Sequence, residues 1–116
     1  MPSPVVLSVR RLDVYRLAIE LVADLAAIAE LLARVDRDLA SQLRRAATSV
    51  PLNLAEAMRR TGRDRGHLLG VALGSAAESQ AVIDVGRALG LIGEEQWQAL
   101  DHKLDRVCAM LYRLRG

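Results

Sequence analysis

Gln42, Arg45, Ser49, Asn53, Glu56 and Arg60 recur three or four residues apart, so on a helix they fall in one narrow polar stripe. Guanidinium, hydroxyl, amide and carboxylate groups in a single line admit two chemistries. Arg45 can contact a phosphate, or it can close a polar network with Glu56 or with Glu78, the carboxylate that follows Gly74, Ser75, Ala76 and Ala77. A buried charge left unpaired costs several kcal/mol, so an inward-pointing Glu78 would require an arginine or other donors. The second reading is preferred: Arg45, Ser49, Asn53, Glu56 and Glu78 form a candidate structural network that sets helix register or subunit pairing. Arg44 projects about 100° away from Arg45 and cannot share that task. It joins Arg59, Arg60, Arg63 and Arg65, which flank the Thr61–Gly62 pair, as candidate nucleic-acid contacts. At that turn a solvated loop and an anion-binding patch both remain open.

Other reactive groups offer less. His67 and His102 have no second histidine or cysteine at ligand spacing, and Glu94–Glu95 are adjacent, suited to the first turn of a helix rather than to acid–base pairing. No glycine-rich phosphate loop follows a strand, and the Glu-x-x-His arrangement of di-iron bundles is missing. We therefore expect no catalytic, cofactor or metal site, and no enzymatic activity. Cys108 has no partner for a disulfide and reads as a small core residue. Trp97 reads as an anchor of the core or of a subunit seam.

The chain is 116 residues long and 52% hydrophobic, enough for one domain with a core. It has no Phe, one Trp and two Tyr, and abundant Ala and Leu, which favours helices and leaves too few β-branched and aromatic residues for a sheet. The formal net charge is only +2, so bulk electrostatics do not define a nucleic-acid binder. Distribution says more. Between Asp13 and Asp38 six acids face three arginines, whereas between Ser41 and Ala72 six arginines face Glu56 and Asp64. No N-terminal apolar run suggests a signal peptide, and the charge-free run from Gly66 to Ala77 is short of the roughly 18 residues of a membrane span. A cytoplasmic location without membrane contact is expected.

These residues need elements to position them. Residues 1–10, with Pro2 and Pro4, read as a flexible leader to a single domain at 11–116. From Arg11 the apolar positions Leu12, Val14, Leu17, Ala18, Leu21, Leu25, Ile28 and Leu32 mark a long amphipathic helix. Arg34 to Asp38 breaks it, with Asp36 or Asp38 as N-cap, and a second helix runs to about Arg60 despite Pro51. Asp64 is expected to cap the third helix and Gly90 to end it; Gly70 and Gly74 would let a neighbouring helix approach closely. The fourth helix starts after Gly93 and buries Trp97, Leu100, Leu104, Val107, Cys108 and Leu111. The prediction is all-α: an up-down-up-down four-helix bundle. Helix one is apolar around much of its circumference, including Ile19, Ala23, Ala26 and Ala27, which implies a second buried face and hence a homo-oligomer.

With its elements placed, the chain resembles the four-helix-bundle proteins encoded in intervening sequences of 23S ribosomal RNA genes, whose relatives include the accessory variability determinant proteins of diversity-generating retroelements. The resemblance is carried by LDVYRLA at 12–18, QLRRAATSVPLNLAEA at 42–57, ALGSAAES at 72–79 and RALGLIGEEQW at 87–97. The chain departs from the usual pattern at Tyr15, where the family has Trp, at Ala57, where it has Gly, at Met58, where an aromatic is common, and in its scarcity of lysine. The resemblance implies a homopentameric ring with a central channel, no enzymatic activity and, in the retroelement relatives, binding to a reverse transcriptase and to nucleic acid. Three functions stay open. The preferred one is a non-enzymatic homo-oligomer that binds RNA or RNA/DNA through its arginines. The others are a scaffold that docks a partner enzyme such as a reverse transcriptase, and an orphan protein carried by an rRNA intervening sequence.

Overall fold

Leucine and alanine at three- and four-residue spacing build four long helices: α1, Asp13–Ala33; α2, Arg37–Ala57; α3, Gly62–Ala88; and α4, Glu94–Arg115. The structure, a computed structural model, describes residues 9–116, so the expected leader lies mostly outside the described residues. Residues 9–11 make one helical turn ahead of α1, and Val9 is buried against the bundle. No strand occurs among the described residues. Each helix packs on its neighbours in sequence, and α1 closes the square against α4 through the sparsest of the four seams. This is the up-and-down arrangement that short connections enforce. It leaves a rod of 47 × 22 × 22 Å, with α1 diagonally opposite α3.

The ends of the helices follow from local chemistry. Asp36 caps α2, its carboxylate accepting from the Leu39 N–H at 3.0 Å. α2 stays unbroken through Pro51, which is buried. Around it side chains supplement the backbone ladder: the Thr48 hydroxyl donates to the Arg44 carbonyl at 3.0 Å, and Asn53 Nδ2 donates to the Ser49 carbonyl at 2.9 Å. α2 stops at Ala57, earlier than expected, and Arg59 and Arg60 belong to the turn.

α3 begins at Gly62 rather than behind an Asp64 cap. Gly62 takes φ +59°, which lets the chain reverse and enter the helix early, while Asp64 lies in its first turn. At the other end Gly90 has φ +75°, Leu91 N–H donates to the Gly86 carbonyl at 2.9 Å, and Gly90 N–H donates to the Arg87 carbonyl at 3.0 Å. These two bonds are a Schellman closure.

Leu25, Ile28, Leu32, Leu43, Leu54, Leu69, Ile83, Leu104 and Leu111 form the dry centre. The close approach expected at Gly70 and Gly74 occurs at neither as helix against helix. A Cβ on Gly74 would meet no atom, whereas one on Gly86 would lie 2.6 Å from Ile92 Cδ1. The bundle needs its glycine where the α3–α4 turn folds back.

α3 is apolar on more than its core side. By length and composition it is long enough to cross a membrane, yet only 33% of its most apolar window is buried within the chain. The charge-free run alone hid this, because Glu78 interrupts a longer apolar stretch.

Candidate nucleic-acid interface

An even number of antiparallel helices returns both ends of the domain to the same pole. The α1 start meets the α4 end around Leu12, Asp13, Met110 and Arg113, and the α3 start meets it around Arg63, His67, Tyr112 and Arg115. The α2–α3 turn, with Arg59 and Arg60, lies there too. That pole gathers Arg10, Arg11, Arg16, Arg59, Arg60, Arg63, Arg65, Arg113 and Arg115 against Asp13, Glu56 and Asp64. Every other charge in the described chain belongs to the remaining length, where acids outnumber cations. A nearly neutral protein is thus strongly polarised along its long axis.

Of these arginines, Arg60 is held by Glu56 at 3.0 Å and Arg16 lies 3.8 Å from Asp13. Both pairs are solvent-exposed, worth about 0–1 kcal/mol each. The other seven have no carboxylate within salt-bridge distance among the described residues. Such a surface suits phosphates, because guanidinium groups supply charge and paired donors together.

Four of the five candidate contacts, Arg59, Arg60, Arg63 and Arg65, are brought together at this pole. Arg44 is not: thirteen residues of helical rise separate it from the end of α2 at Ala57, about 20 Å. Arg10, Arg11, Arg16, Arg113 and Arg115 escaped the sequence reading because they are remote from the turn along the chain. The alternating direction of the helices was the signal that would have found them.

The polar stripe of α2 divides. Ser49 Oγ accepts from Asn53 Nδ2 at 2.9 Å and from Ser75 Oγ of α3 at 2.7 Å, and Ser79 Oγ donates to the Ser75 carbonyl at 3.0 Å. Ser49 and Asn53 therefore form a polar seam between α2 and α3. Arg45 does not join it, nor does it reach Glu56 or Glu78. Its guanidinium lies 3.4 Å from Ser41 Oγ, Glu56 is taken by Arg60, and Glu78 points to solvent, where a carboxylate needs no partner. No buried polar side-chain atom lacks a partner among the described residues.

The α3–α4 corner is pinned by Trp97, which donates from Nε1 to Asp84 at 2.9 Å and carries the Arg87 guanidinium 3.6 Å from its ring centroid. The α1–α4 seam is clamped by Lys103, 2.7 Å from Asp24 and 3.0 Å from Glu20. Its hydrogen bonds to Asp24, then to Glu20, hold the ammonium above the ordinary lysine range against the opposing effect of burial. Sequence reading missed this lone lysine because its partners are some eighty residues away in the chain. Cys108 is half-buried beside Gln80, and burial, reinforced by Asp105 and Asp101, pushes its thiol pKa up. No group of three or more His, Cys, Asp or Glu side chains converges among the described residues.

Fold and surface together define a small all-α bundle protein with one polycationic end. Its sequence matches the model of the 23S rRNA-intervening sequence protein family over residues 10–113, and the chain belongs to that family. The fold is shared with the crystal structure of a protein of unknown function from the S23 ribosomal protein family of Bacteroides thetaiotaomicron VPI-5482. The two are 20% identical, with a TM-score of 0.81 over 89% of this chain and 98% of that one. No curated protein matches the chain.

Proposed function

We propose that the protein is a non-enzymatic homo-oligomer that binds nucleic acid, RNA or RNA/DNA, through the arginine-rich pole of its bundle. The observation that carries this reading is the gathering of nine arginines and three acids at one end of a chain whose remaining length is acidic. Such a polarised rod is steered onto a polyanion end-on, and the acidic flank is repelled.

Self-association is supported by two exposed apolar faces. On α1 Ile19, Ala23, Ala26 and Ala27 share a side, and Ile19 is 46% exposed; on α3 Val71, Gly74, Ala81 and Val85 surround the solvent-facing Glu78 and continue to Leu89, which is 56% exposed. Because α1 and α3 are diagonal, these faces look away from each other. Two different patches on opposite flanks suit head-to-tail contacts that close into a ring rather than a two-fold dimer. In a ring of five, the number the resemblance implies, the poles of all copies would lie along one rim. Multivalent display then raises affinity without any new contact.

The test is electrophoretic mobility shift with structured RNA at low salt. Replacing Arg63 and Arg65, or Arg113 and Arg115, by alanine is expected to weaken binding, while Arg44→Ala leaves it unchanged. Equal losses from Arg44→Ala and from the polar pairs would remove the pole as the binding surface. If the wild-type protein instead retains a single partner protein after nuclease treatment and shows no RNA shift, the arginines serve the docking of a partner enzyme.

A further inference from the structure

Within the basic pole, Tyr112 is the side chain that phosphate binding does not explain. The residue is 72% exposed, the largest value among the exposed large hydrophobic residues described, and it stands in the last turns of α4 beside Arg113 and Arg115. With Arg115 it lines one wall of an open cleft of about 560 Å³, within the roughly 300–1,000 Å³ of small-ligand sites; Arg63, Gly66 and His67 of α3 line the other. At Gly66 the α3 wall carries no side chain. A Cβ on Gly66 would meet no atom, and the Arg115 guanidinium lies over Gly70, 3.3 Å from where its Cβ would stand. Gly70 thus seats Arg115 at the edge of the cleft, which is the use this chain makes of a glycine expected to receive a helix.

We infer that this cleft takes an unpaired nucleotide, its base stacked on Tyr112 and its phosphate held by Arg63 and Arg115. The inference deepens the nucleic-acid reading and rests on it. An exposed aromatic residue that shares a cleft with two arginines matches the two halves of a nucleotide: a flat π-surface and an anion. A base in a duplex has both faces covered by its neighbours, so only a single-stranded segment, loop or end can present one to the ring. The wall formed by Gly66 admits a ribose close to the helix. Duplex regions would still meet the surrounding arginines through their backbones alone, so the cleft confers a preference for unpaired RNA on a surface that otherwise reads charge.

The experiment compares the full chain with Tyr112→Leu and Tyr112→Phe at constant salt, using fluorescence anisotropy with a single-stranded RNA and with a duplex of equal length. A stacked base is worth about 1–3 kcal/mol, so Tyr112→Leu is expected to weaken single-strand binding about 5- to 150-fold and Tyr112→Phe to retain it. Duplex binding should be unaffected by either. Because Tyr112 is exposed, both variants should keep the wild-type circular dichroism. A 2-aminopurine base in the single strand should change fluorescence on binding the wild type and not on binding Tyr112→Leu. Tight RNA binding that Tyr112→Leu does not alter, or alters equally for both RNAs, would overturn the stacking site and leave the basic pole standing. Failure of the wild type to bind either RNA would overturn both.

Discussion

The seam between α2 and α3 gives the sharpest energetic prediction. Ser49 Oγ accepts one hydrogen bond from Ser75 across the seam at 2.7 Å and one from Asn53 within α2 at 2.9 Å. Ser75→Ala removes the first donor, but Asn53 still satisfies Ser49, so the loss is the net value of one bond, about 1 kcal/mol. Ser49→Ala costs more, about 1–2 kcal/mol, because it leaves the half-buried Ser75 hydroxyl without its acceptor. The double variant has neither partner to strand and should lose less than the sum, giving a coupling energy of about 1 kcal/mol. For a chain of this size each kcal/mol shifts the midpoint by roughly 4 °C. Urea unfolding of the four proteins measures the cycle, with m-values expected to be equal and protein concentration held fixed because assembly contributes to stability. Additivity within about 0.3 kcal/mol would refute the reasoning, since it would mean the two hydroxyls do not sense each other. RNA affinity should be the same in all four proteins.

Lys103→Met should destabilise the bundle by about 1 kcal/mol, as expected for a partly exposed ion pair, and should do so by loosening the α1–α4 seam. The Lys103 pKa is raised on folding, so its contribution is complete below the ordinary lysine value near 10.5 and fades as pH rises through the higher folded value. Urea midpoints of wild type and variant should therefore converge above that point, and a constant difference into strong alkali would contradict the pairing. Cys108, half-buried and with its pKa raised, should react with a thiol reagent at pH 8 several-fold more slowly than a cysteine in an unfolded peptide; equal rates would show that the site opens freely. Ala81→Glu places a second carboxylate beside Glu78 on the exposed, mostly apolar face of α3 and should leave the helical content intact while reducing the assembly seen by native mass spectrometry. An unchanged mass distribution would exclude that face from the interface.

Four helices were legible in the sequence because apolar spacing at 3.6-residue period is a local signal that alanine and leucine reinforce. Gly90 marks one boundary in the same local way, and the Asp36/Asp38 pair marks another, with the structure choosing Asp36 as the cap. α3 starts before the expected Asp64 cap because a positive-φ Gly62 begins the helix without a side-chain cap, and a Thr–Gly pair reads equally well as a helix stop. The candidate site was half legible. Arg59, Arg60, Arg63 and Arg65 are adjacent in sequence, but Arg10, Arg11, Arg16, Arg113 and Arg115 join them only through topology. Pairings such as Ser49 with Ser75 and Lys103 with Asp24 depend on the rotation of one helix against another, which periodicity leaves undetermined. An inward Glu78 would have needed a partner, but although Ala76 packs into the core and Ser75 into the α2–α3 seam, Glu78 falls with Gly74 and Ala77 on the exposed side of α3.

The salt dependence of RNA binding tests the account most directly. With a single-stranded RNA the slope of log affinity against log salt is about −0.7 per phosphate neutralised. The wild-type protein is expected to show a steep negative slope, and replacing Arg59, Arg63 and Arg65 by alanine should flatten it by about 2. A slope near zero for the wild type, or one that the triple replacement leaves unchanged, would contradict the claim that the arginine-rich pole grips the phosphate backbone.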